Sequence, residues 1–161
     1  MLVQIEKEQI IENWDEYKEQ FKVAANSSEG GIIALGRDFE DASKIIYDRL
    51  TNPFNRSMQL WESFSKDTPD YVLLTQLQQC EFTANKTLLL FAITRLNEVD
   101  NETMEKMYME SYQTVAQFAQ QQECVGMTCY SDLEYFAEKA KQTKDWSGVV
   151  TRYFFYFPLG D

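Results

Sequence analysis

The chain contains no histidine. That removes Ser-His and Cys-His nucleophile systems and the commonest metal ligand together. Cysteine is scarce as well. Cys80, Cys124 and Cys129 are odd in number, sit inside apolar runs and form no C-x-x-C pair. The expectation is buried free thiols in a reducing compartment, not a disulfide framework or a zinc site. Positive charge is short too, with 15 Lys and Arg against 26 Asp and Glu and a net charge of −11. Direct binding of nucleic acid, which needs clustered cations against phosphates, is therefore not expected. No apolar run approaches the ~20 residues of a membrane span. Met1 to Lys7 carries charge too early for a secretory signal. The chain reads as soluble and cytoplasmic. Glycine is also sparse, and no glycine-rich loop occurs between Asp70 and Leu159.

What is present points to a folded core. At 161 residues, 44% hydrophobic and 14% aromatic, the chain fits one globular domain spanning residues 1–161. Leu2 to Ile5 reads as a short strand. Ile10, Trp14, Tyr17 and Phe21 then mark one apolar helix face, with Glu12, Asp15, Glu16, Lys18 and Glu19 on the wet side. A loop covers Asn26 to Gly31. A second helix runs from about Phe39 to Leu50 and stops before Asn52-Pro53. Met58 to Phe64 is a strand with Leu60 and Trp61 on opposite faces. Tyr71 to Phe82 and Thr87 to Leu96 are the strongest strands, joined through Thr83 to Lys86 as a hairpin. Leu88 to Ile93 is apolar on both faces, as a central strand covered by helices should be. A helix over Glu102 to Gln121 uses Met104, Tyr108, Ser111, Val115 and Phe118. Val125 to Tyr130 is a strand, Ser131 and Glu134 have capping-box spacing for another helix, and Val149 to Phe157 is a last strand. The class is α/β (α+β): a central mixed, mostly antiparallel sheet flanked by about four helices.

This order resembles the Gcn5-related N-acetyltransferase (GNAT) fold, and most closely the small GNAT-like proteins of tailed bacteriophages. Met58-Gln59-Leu60-Trp61 is similar to their second strand, and Leu88 to Ile93 to the central strand before the long helix. Phe118-Ala119, Cys124 and Met127 to Tyr130 resemble the passage from that helix into the fifth strand. The resemblance implies acetyl-CoA between the fourth and fifth strands. It also implies a pyrophosphate loop of the form Q/R-x-x-G-x-G/A, whose glycines let backbone N–H groups close on phosphate at a helix N-terminus. The matching stretch is Arg95-Leu96-Asn97-Glu98-Val99-Asp100. Arg95 fits the first place, but Glu98 and Asp100 occupy both glycine places. From Asn97 to Glu123 there are six acids and one base, Lys106. Asp100, Glu102 and Glu105 also suit the start of a helix without any ligand. No cofactor is expected at this loop.

The catalytic positions that the resemblance implies fall on Tyr130 or Tyr135 as general acid and Glu81 as base, against a simpler reading as core or surface residues. The family ends in two antiparallel strands; this chain has one aromatic run, Tyr153 to Phe157. With aromatics on both faces, Tyr153, Phe155, Tyr156 and Phe157 are candidates for contact with a protein partner or a second copy. Three readings follow. The first is a non-enzymatic GNAT-like phage protein, a virion or assembly component or a host-directed factor in the host cytoplasm. The second is an acetyltransferase with an atypical cofactor loop, using acetyl-CoA. The third is an acidic inhibitor that mimics nucleic acid or blocks a basic protein.

Overall fold

The computed structural model describes residues 1–26, 38–54, 57–65, 67–97 and 100–129. In chain order these form β1 (Leu2–Gln4), α1 (Lys7–Glu12), α2 (Trp14–Asn26), α3 (Phe39–Thr51), β2 (Met58–Phe64), β3 (Pro69–Gln79), β4 (Lys86–Arg95), α4 (Asn101–Gln121) and β5 (Cys124–Cys129). They belong to one compact unit, Met1–Tyr130; the second unit, Ser131–Asp161, lies outside the described residues. The five strands make one sheet in the order β1-β2-β3-β4-β5. The first three pairings are antiparallel and β4–β5 is parallel. A parallel neighbour needs a crossover, and α4 supplies it.

Alternation along β2 and β3 divides the apolar residues between two faces. Leu60, Val72 and Leu74 join Ile5, Ile10, Tyr17, Phe21, Ile46 and Leu50 in one cluster, under α1, α2 and α3. Trp61, Tyr71, Leu73 and Leu88 join Met107, Val115 and Ala119 in the other, under α4. Burying each large side chain contributes about 1.5–3 kcal/mol. Both faces of the middle strands must therefore be covered, and a three-layer arrangement results. Each helix shows how its sequence fits. The Asp38 carboxylate accepts from the Glu40 amide at the start of α3, Glu40 and Asp41 lie in its first turn and Arg49 in its last. That helix ends at Asn52, ahead of Pro53.

Several sequence expectations shift. The first apolar helix face is carried by two helices, because Asn13 interrupts them. Its backbone and side-chain nitrogens both donate to the Gln9 carbonyl, and α2 restarts at once. The β3–β4 turn comes earlier than Thr83. β3 ends at Gln79, the Cys80 amide donates to the Asn85 carbonyl, and Phe82 is 97% exposed. Cys80 is thus exposed, not buried, while Cys124 is partly buried and both are free thiols. Leu88 shares the Trp61 core, while Leu89 is buried too but follows Leu88 in the strand and points the other way. Phe118 meets Trp61 edge-on, with ring centroids 5.2 Å apart.

One polar relay crosses the α4-side core. Trp61 Nε1 donates to Thr75 Oγ1 at 2.9 Å, and that hydroxyl donates to Gln59 Oε1 at 2.8 Å. Thr75→Val keeps the shape but strands the buried indole N–H, so it should cost about 1–3 kcal/mol in chemical denaturation. A loss below a few tenths would show that the relay does not hold. At the hairpin tip Ala84 has φ 56°, a region that disfavours any Cβ. Ala84→Gly should raise stability by about 1 kcal/mol; a fall would contradict the turn geometry.

Candidate functional site

β4 is the strand on which the candidate site is built. It pairs with β5 from Lys86↔Cys124 to Leu90↔Cys129, yet it continues to Arg95. At Leu90 the register with β3 steps from Thr75↔Leu90 to Leu74↔Ala92, leaving Phe91 as the extra residue of a bulge. Bulges bend a strand and re-aim its groups, often beside a site. The described part of β5 ends at Cys129, opposite Leu90. The resemblance places acetyl-CoA between these two strands.

The chain leaving β4 is pinned down at once. The Leu96 amide donates to the Asp70 carbonyl at 2.9 Å, and Asn97 Nδ2 donates to the Pro69 carbonyl at 2.8 Å. The buried Asp70 carboxylate in turn accepts from the Ser65 amide at 2.6 Å. Asp70 thus ties the β2–β3 turn, the start of β3 and the β4–α4 loop together. On the other side of the loop, Asp100 is the N-cap of α4. Its Oδ1 accepts from the Thr103 amide at 2.9 Å and its Oδ2 from the Thr103 hydroxyl at 2.7 Å. These bonds, the backbone one foremost, hold the Asp100 carboxyl below the usual range, so it is an anion at neutral pH. The free N–H groups and partial positive charge of a helix start are what a phosphate would use. Here one of them, the Thr103 N–H, is taken by a carboxylate of the chain itself.

α4 is seated by more than packing. The Tyr71 hydroxyl bonds the Ser111 hydroxyl and lies 3.4 Å from the Met107 carbonyl, linking β3 to the buried face of the helix. At its far end, Lys86 Nζ donates to the Gln122 carbonyl at 3.4 Å and pairs with Glu123 at 3.6 Å.

The structure separates the residues singled out from sequence. Arg95 ends β4 and Asp100 starts α4, so they flank one loop, while Glu98 lies outside the described residues. Glu81 is corrected: it is exposed in the β3–β4 turn, not inside a strand. It precedes Lys86 at one end of β4, and Asp100 follows Arg95 at the other, about 30 Å away along an extended strand. Tyr130, Tyr135, Tyr153, Phe155, Tyr156 and Phe157 lie outside the described residues. Among the described residues no group of three Cys, Asp or Glu is placed to hold a metal ion.

A perturbed pair went unnoticed in the sequence. Tyr17 on α2 donates its hydroxyl to Glu62 Oε1 on β2 at 3.0 Å. Burial pushes the Glu62 carboxyl up; the bond from Tyr17 opposes this and the Glu16 charge adds to it. Burial, then the Glu62 charge, pushes the Tyr17 hydroxyl well above its ordinary value, so it stays a donor. The signal available was an acid on the Leu60 face of a strand whose other positions from Met58 to Ser63 are buried. The pair lies on the α1–α3 face, two strands away from β4. It fastens α2 to β2, away from the junction of β4 and α4.

No protein-family profile and no curated protein sequence matches the chain. Solved structures do. A probable acetyltransferase superposes with TM-score 0.65 at 14% identity, covering 100% of this chain and 99% of that one. A GNAT family acetyltransferase from Staphylococcus aureus gives 0.61 at 10%, covering 99% and 98%. An aminoglycoside N-acetyltransferase in complex with CoA gives 0.55 at 11%, covering 100% of both chains. At such identities the likeness establishes the fold, which is that of the GNAT acetyltransferases.

Glu62 supplies a pH-dependent test of the α2 seat. Its raised value means that the folded chain keeps this proton to higher pH than the unfolded chain does. The resulting stabilisation is complete below the unfolded value and is lost as pH rises through the folded one. Glu62→Gln keeps the acceptor for Tyr17 and removes the ionisation. Its melting temperature should equal or exceed that of the wild type at neutral pH, with a smaller decline between weakly acidic and neutral conditions. A less stable variant with an unchanged pH slope would contradict the placement of Glu62.

Proposed function

We propose that this GNAT-fold protein has given up the pyrophosphate site of the fold and acts through contacts with other proteins, without acetyl transfer. The observation that carries this reading is the Asp100 carboxylate bound to Thr103 at the first turn of α4. A diphosphate approaching that helix start would meet an ionised carboxylate that already takes the Thr103 N–H. Glu98, at the other glycine place of the motif, adds a second acid in sequence. The protein-contact part of the reading rests on the aromatic run Tyr153 to Phe157 and the acidic balance of the chain. No helix among the described residues is long and apolar enough to cross a membrane. A phage affiliation, and with it a place in a virion or in host cytoplasm, rests on the sequence resemblance alone.

A second reading, an acetyltransferase with an atypical cofactor loop, is favoured by the bulge at Phe91 in β4, the strand beside which the resemblance places acetyl-CoA. In that reading the grip on the nucleotide end of the cofactor would have to come from elsewhere than the start of α4.

Calorimetric titration with acetyl-CoA at modest salt separates the two. The wild type should give no saturable heat. A Glu98→Gly, Asp100→Gly double variant should gain measurable binding, since glycine is a tolerated N-cap and exposes the helix start. A low-micromolar dissociation constant for the wild type would overturn the proposal and promote the enzyme. Native mass spectrometry addresses the contact role in its self-assembly form. A wild-type oligomer weakened by Phe155→Ser, with circular dichroism unchanged, supports it; a strict monomer contradicts it.

A further inference from the structure

We draw no further inference here: the strongest candidate, the apolar surface patch at the hairpin end of the sheet where Phe54, Phe82 and Val125 are exposed, carries nothing because nothing in the structure shows what covers it.

Discussion

The middle strands of the sheet are apolar on both faces, and everything else in the described fold answers to that constraint. A strand such as Tyr71-Val72-Leu73-Leu74-Thr75, buried at every position, cannot leave either side to water. Three helices close one side and α4 closes the other. Because α4 is fixed along its length by Met107, Ser111, Val115 and Ala119, its first turn is fixed as well. The start of α4 therefore sits beside the end of β4 wherever the loop between them leads. In this architecture the place where a cofactor's phosphates meet backbone N–H groups follows from packing, not from the loop sequence.

What the loop decides is which anion occupies that place. The free amides of a helix start attract negative charge from any source, a ligand phosphate or a side chain. Glycines leave the position open. In this chain Asp100 caps the helix start, with two hydrogen bonds from a single threonine. Asp70 and Asn97 restrain the preceding segment, so the loop is held at both ends. The chain thus combines the GNAT fold with a first turn of α4 capped by its own carboxylate.

Periodicity and turn chemistry in the sequence point to most of these elements. Met58–Phe64 is read with the observed limits, and the opposite facing of Leu60 and Trp61 holds, because alternation of side chains is a local property. The α4 cap is also readable, since Asp before a helical run with Thr three residues on is a local pattern. Errors arise where local pattern and tertiary contact part company. Cys80 and Phe82 look like strand residues, yet β3 ends at Gln79 and both are exposed. The single face of Ile10, Trp14, Tyr17 and Phe21 hides the break at Asn13, whose side chain competes for a helical carbonyl. The Tyr17–Glu62 bond joins residues 45 apart in sequence, and no spacing rule reaches across that interval.

The claim that matters most is that the Asp100 carboxylate occupies the start of α4 in solution. The Thr103 amide is its direct reporter, followed by nuclear magnetic resonance during a titration with inorganic pyrophosphate at neutral pH. The account predicts that this amide does not move at millimolar ligand, and that it shifts only when Asp100 is protonated below the usual carboxylate range. A saturable pyrophosphate shift at Thr103 would contradict it, showing that the helix start is open to phosphate after all.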